Sequence, residues 1–261
     1  MDILFRISTY IEYLLKAGNA HGLHSPFVFD LYCDEIAHRK TYYQFSLIEQ
    51  LRDNLLISDK TISIHDLGAG SNGKIKQSRK VKEIADSSLC NSKTGELLFK
   101  LANKFQPKHI IEIGTSLGIS TLYLASGCRT ATVHTLEGSE HILNIAQQQF
   151  QLAGQNNIVS ILGNFDNTLK PLLDSIESVD FVYFDGNHQY DPTIKYFEWC
   201  LSKCTEKSVF IFDDIYWSPE MKKAWNEISS RPEVKISIDL YDLGLVFFRN
   251  HQPKQHFTLK F

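Results

Sequence analysis

The sequence predicts an α/β fold, a seven-stranded and mostly parallel sheet that closes on an antiparallel C-terminal hairpin behind a helical N-terminal extension. Three observations predict it. From residue 96 onward, β-branched and aromatic runs alternate with stretches whose apolar residues recur at helical spacing. Five of these runs in succession stop on a polar or acidic residue, at the carboxyl end of the strand, where open parallel sheets bind ligands. The last two runs are joined by only Tyr241-Asp242, and so short a connection can join only antiparallel strands.

Taken in order, His109–Ile113 is a strand carrying Glu112, and a glycine turn from Gly114 to Gly118 leads into an apolar helix beginning near Ile119. Thr132–Glu137 is a second strand, ending on an acid. Ile142, Ile145, Ala146, Gln149 and Phe150 then fall on one helix face. A third strand, Ile158–Leu162, runs into Gly163-Asn164. The fourth, Val179–Phe184, runs into Asp185-Gly186, and the fifth, Ser208–Phe212, into Asp213-Asp214. The hairpin strands are Val234–Leu240 and Leu243–Phe248.

Residues 1–95 read as a helical N-terminal extension with an accessory strand and loop, and 96–261 as the ligand-binding domain. Ile3, Leu4, Ile7, Ile11, Leu14 and Leu15 form an amphipathic stripe. Gly18 to Ser25 break it, and Pro26 starts a new helix with Ser25 as its cap. A further helix spans Ser46–Leu56. Ile62–Ser71 imitates the strand, acid and glycine turn at Asp66, Gly68 and Gly70, but a Lys-rich stretch follows instead of an apolar helix.

The 261 residues carry a formal net charge of −3, so no basic field recruits nucleic acid. The odd set Cys33, Cys90, Cys128, Cys200 and Cys204 lacks metal-type spacing and suits a reducing, cytoplasmic setting. The N-terminus breaks its apolar run at Arg6, unlike a signal peptide, and no run approaches membrane-spanning length.

The string EIGTSLGIST at 112–121, with its Glu-x-Gly-x-x-x-Gly spacing, resembles the first motif of class I S-adenosylmethionine (SAM) methyltransferases, and most of all their small-molecule O-methyltransferase branch. HGLHSPFVFDLY at 21–32 is similar to the N-terminal signature of a bacterial group whose substrate is unassigned. The resemblance covers roughly residues 95–250 and implies a Rossmann-like sheet. It implies that Glu112, Gly114, Thr115, Ser116, Gly118 and Ser120 form the cofactor loop. Glu137 with Gly138 would hold the ribose, Gly163 and Asn164 would lie beside the adenine, and Asp185 near the methionine end.

Two chemistries for a hydroxyl acceptor stay open. Asp185, Asp213 and Asp214 could gather Mg2+, as catechol-type enzymes do with Asp and Asp-Asn, although this chain has Asp214 where they have Asn. Alternatively His188, three residues beyond Asp185, could act as general base. Tyr190, Tyr216 and Trp217 could wall a flat substrate. The expectation is methyl transfer to a small-molecule acceptor without nucleic acid or membrane, with a homodimer compatible. Its rivals are a non-catalytic SAM-binding protein on this fold and a Rossmann oxidoreductase, which would need a G-x-G-x-x-G that the loop lacks.

Overall fold

The computed structural model describes residues 3–38, 40–65 and 76–261. The helices in chain order begin with α1 (Ile3–Lys16), α2 (Pro26–Leu31) and α3 (Tyr43–Leu56). A hairpin of β1 (Thr61–His65) and β2 (Lys76–Lys80) follows, then α4 (Val81–Ser88) and α5 (Ser92–Phe105). Strict alternation begins there with β3 (His109–Ile113), α6 (Ile119–Gly127), β4 (Thr132–Glu137), α7 (Glu140–Leu152), β5 (Ile158–Leu162) and α8 (Phe165–Ser175). It continues with β6 (Val179–Phe184), α9 (Tyr190–Leu201), β7 (Cys204–Asp213) and α10 (Pro219–Ser230), and closes with β8 (Ile236–Asp239), β9 (Leu243–Phe247) and β10 (Gln255–Thr258). The fold is thus mixed α/β with a central, mostly parallel sheet behind N-terminal helices. The Asp66-Gly68-Gly70 turn lies outside the described residues.

The chain divides into two units, residues 40–172 and residues 1–39 with 173–261. The expected boundary at 95/96 falls inside the first of these. The reason is a shared core. Ile48, Leu51 and Leu55 of α3 and Ile84 of α4 are buried together with Leu122 and Tyr123 of α6 and Ile145 and Phe150 of α7. The accessory segment and the glycine-loop helix therefore fold around the same apolar centre. In this unit β3, β4 and β5 run parallel, with Ile113 opposite Leu136 and Glu137 opposite Leu162. That register brings the ends carrying Glu112, Glu137 and Gly163 to one edge.

Polar bonds brace the same unit. Glu49 accepts from Tyr123 Oη at 2.6 Å, from Arg52 Nε at 2.9 Å and from Ser92 Oγ at 2.5 Å, tying α3 to α5 and α6. Helices α5 and α6 approach so closely at Gly127 that a Cβ there would stand 2.4 Å from the Phe99 carbonyl oxygen.

In the other unit β6 and β7 are parallel, β7 pairs antiparallel with β9, and β9 pairs antiparallel with β8, as the hairpin requires. Strand β10 adds parallel to β8, with Phe257 opposite Ile238. Among the described residues this gives five strands here and three in the other unit, one more than the seven expected. The four-residue segment QHFT has too little apolar alternation to declare itself in sequence.

Helix α1 reverses its expected orientation. Its stripe of Ile3, Leu4, Ile7, Ile11, Leu14 and Leu15 is exposed, while Thr9 and Tyr13 are buried. Directional bonds hold it that way. Tyr13 Oη donates to the Leu259 carbonyl at 2.6 Å, Tyr241 Oη donates to the Arg6 carbonyl at 2.9 Å, and Tyr241 stacks on Tyr216. Ser25 occupies the cap position of α2 but makes no side-chain capping bond, and its buried Oγ has no partner among the described residues.

The contact at Gly127 makes a direct prediction. Gly127→Ala must push α5 away from α6 or strain the helix, and it lowers stability by about 1–3 kcal/mol. Urea denaturation measures this; an unchanged midpoint would show that the two helices can separate without penalty.

Candidate functional site

The glycine loop is built around two acids. Glu112, near the end of β3, is fully buried, and Thr135 Oγ1 donates to its Oε2 at 2.6 Å, as does Thr121 Oγ1. Thr135 Oγ1 also lies 2.5 Å from Thr115 Oγ1, so the hydroxyls form a chain from the loop to the acid. Burial pushes the Glu112 carboxyl up to about 7 against the pull of the Ser120, Thr121 and Thr135 hydroxyls, and the charge of Glu137 adds to the rise. The other oxygen, Oε1, has no hydrogen-bond partner among the described residues.

Glu137, at the end of β4, accepts from the Ser116 amide at 3.0 Å and from the Ser139 amide at 2.9 Å. One carboxylate therefore pins the glycine loop to its own turn. The Gly114 and Thr115 amides both donate to the Leu136 carbonyl, and Ser116 Oγ meets Ser88 Oγ at 2.7 Å. The loop has positive φ at Gly114 (108°), Ser116 (47°) and Gly118 (86°). At Gly118 packing adds a second demand, since a Cβ would lie 2.6 Å from the Phe150 ring. Glycine here serves the seat of α6 on α7 as well as the turn.

Gly163 and Asn164 end β5 at the same edge. The Gly163 amide donates to the Glu137 carbonyl at 2.9 Å, while Asn164 Oδ1 accepts from the Asp166 amide and so turns toward α8. Of the cofactor residues expected from sequence, this unit brings together Glu112, Gly114, Thr115, Ser116, Gly118, Ser120, Glu137, Gly138, Gly163 and Asn164. Sequence reasoning missed Thr121, Thr135 and Ser88. A threonine in a buried strand two residues before an acid was a readable signal for Thr135, because alternation turns both to one face.

The other unit carries its own acidic cluster. Asp213 ends β7 half-buried, accepting from Tyr183 Oη at 2.8 Å and from the Asp214 amide at 3.1 Å. Burial and the neighbouring Asp214 charge push its carboxyl up to about 7. Asp214, in a left-handed conformation with φ 55°, is also raised by burial, and the charges of His188 and Arg6 pull it back. His188 Nε2 stands 3.5 Å from Asp185 Oδ1. Burial lowers its pKa against the attraction of Asp214, so the imidazole is neutral at ordinary pH.

Of the expected Mg2+ ligands, Asp185 hydrogen-bonds Asp213, and the charge of Asp214 acts on Asp213 as well. No group of three His, Cys, Asp or Glu among the described residues is arranged to hold a metal ion. Each Asp213 oxygen accepts from one protein donor. Nor do the aromatics form a common wall. Tyr190 donates to Glu227 under the Lys223 ammonium, and Tyr216 donates to Asp239, whereas Trp217 is exposed beneath Arg6.

Residues 111–215 match the family model described as a methyltransferase domain. Among curated relatives, a catechol O-methyltransferase of Mycobacterium tuberculosis is 26% identical over 131 residues, covering 48% of this chain and 56% of that protein. A catechol O-methyltransferase of Niastella koreensis is 27% identical over 144 residues, covering 54% and 63%. The matches thus span less than two thirds of either relative. Among solved structures, the SAM complex of the Streptomyces achromogenes O-methyltransferase TomG aligns with TM-score 0.56 at 18% identity, over 85% of this chain and 96% of that one. The SAH-bound Podospora anserina methyltransferase PaMTH1 aligns with TM-score 0.58 at 18% identity, over 87% and 97%. No helix among the described residues is long and apolar enough to cross a membrane. The chain thus matches a methyltransferase-domain model over residues 111–215 and shares its fold with these SAM- and SAH-bound methyltransferases.

Proposed function

We propose that the protein binds SAM at the glycine loop and transfers its methyl group to a hydroxyl of a small molecule. The observation that carries this reading is the paired-acid loop, in which Glu137 holds the Ser116 amide while buried Glu112 keeps one oxygen unpartnered. A ligand with vicinal hydroxyls and an ammonium group matches both acids. The two oxygens of a carboxylate such as Glu137 suit the two vicinal hydroxyls of a ribose. Glu112 offers the ammonium group a carboxylate in a low-dielectric setting, where an ion pair is strong. The relatives named as catechol O-methyltransferases support a hydroxyl acceptor.

SAM, when bound, supplies a methyl group on a cationic sulfur that leaves as a neutral thioether. The chain's own part is to hold and to deprotonate. His188, kept neutral by burial, is the base that takes the hydroxyl proton, and Asp185 at 3.5 Å steadies the imidazolium that forms.

Isothermal titration with S-adenosylhomocysteine (SAH) tests the cofactor reading. Binding is expected at micromolar SAH, insensitive to NAD and equal with and without magnesium. Glu137→Ala lowers that affinity at least roughly tenfold, because it removes the ribose acceptor and also releases Ser116. Unchanged affinity in this variant would remove Glu137 from the site.

The raised carboxyl of Glu112 gives a pH dependence with a defined sign. Only ionised Glu112 pairs with an ammonium group, and its free-state value is about 7. Below that value binding must expel a proton, so SAH affinity falls as pH drops and is about tenfold weaker at pH 6 than at its plateau above pH 8. Glu112→Gln flattens the profile. An affinity independent of pH in the parent protein would assign Glu112 a purely structural role.

His188→Ala should lower kcat on a catechol-type acceptor by about 10²–10⁴ while leaving SAH affinity intact. The parent enzyme's kcat/KM rises with pH through a value below the ordinary histidine range, since burial lowers His188, and is flat at neutral pH. Full activity in the His188→Ala protein would exclude this base.

A further inference from the structure

We propose that α1 is a dimerisation helix, and that a second copy of this chain packs its own α1 antiparallel against it. The outward face is what points there. Leu4, Ile7, Ile11 and Leu14 are spaced by three, four and three residues, the seam of a helix pair, and all four are exposed. Ile3, Tyr10 and Leu15 flank the seam and are exposed too, with Leu15 at 84% and Leu4 at 79%. The opposite face, through Thr9 and Tyr13, is the one bonded to this chain's own body. The helix is therefore anchored by hydroxyl bonds and offers its apolar side to solvent, the reverse of a helix that completes its own core.

The sequence of the seam selects the partner. Leu, Ile, Ile, Leu reads the same from both ends. A two-fold axis across α1 sets Leu4 against Leu14 of the second copy and Ile7 against Ile11, an isologous contact in which each copy meets itself. The seven exposed apolar side chains present on the order of 800 Å², the share that one partner brings to an interface of standard size. A patch of that extent on a chain alone in water is an association surface. The charges argue against a membrane as the occupant. Arg6 sits over Trp217, Lys16 pairs with Glu12 at 2.7 Å, and Glu12 also takes Lys222 at 2.9 Å. An interfacial helix instead shows a row of cations beside its apolar face.

Sedimentation velocity of the full chain across a concentration series tests the proposal. The parent protein sediments as a dimer at micromolar concentration. The Ile7→Glu, Ile11→Glu double variant self-associates at least roughly a hundredfold more weakly, because each copy would bury two unpaired carboxylates in the seam. Both positions are exposed in one copy, so its circular dichroism and SAH affinity match the parent. The Ile7→Leu, Ile11→Leu variant remains dimeric. A monomeric parent protein, or a dimer that the glutamates leave intact, would overturn the proposal. So would a monomer that floats with anionic vesicles and loses them on the same substitution, which would make α1 a membrane anchor.

Discussion

Everything at the glycine loop depends on where a carboxylate without water finds its hydrogen bonds. Glu112 is sealed at the end of β3, and a buried carboxyl must be bonded or neutral. Thr121, from the helix after the loop, and Thr135, from the neighbouring strand, supply the donors. That requirement fixes how α6 leaves the loop and how β4 lies against β3. Thr135 then reaches Thr115, and Glu137 reaches Ser116, so both flanks of the loop are tied to one strand. The loop meets these ties with positive φ at Gly114, Ser116 and Gly118. Glu112 Oε1 is the one oxygen of the pair of acids left without a hydrogen-bond partner among the described residues.

Most of this was legible because local rules and tertiary needs agree here. Period-two runs, terminal acids and glycines at fixed offsets report on backbone geometry that any such strand–loop–helix must adopt. The strands from 109 to 213 and the antiparallel pair at the end accordingly fall where the pattern places them. What was not legible depends on neighbours far away in sequence. Strand β10 exists because β8 has an edge to pair, and its four residues carry no signal of their own. That α3 and α4 bury their apolar residues against α6 and α7 is a choice of partner that periodicity does not contain.

The acids of the second unit show the same limit at a site. Three carboxylates at strand ends suggest a cation, since like charges repel. Sequence spacing says nothing of Tyr183, whose hydroxyl faces Asp213 and stabilises it without a metal, or of the left-handed turn at Asp214. Local donors and proton uptake are an alternative answer to crowded negative charge. The offset of His188 from Asp185 is a property of one short loop, and it sets Nε2 3.5 Å from Asp185 Oδ1.

Helix α1 joins the two themes. An apolar stripe normally marks the face a helix hides, but the stripe records only that burial is favourable and not against what. Here the buried side is chosen by hydroxyl geometry, through Tyr13 to Leu259 and Tyr241 to Arg6, and the stripe is left over. The same placement carries the Arg6 charge to where it favours ionised Asp214. A helix that looks like an appendage in sequence therefore does two things at once. It lends a cation to the acidic cluster from its bonded side, and it keeps an uncovered apolar seam on the other.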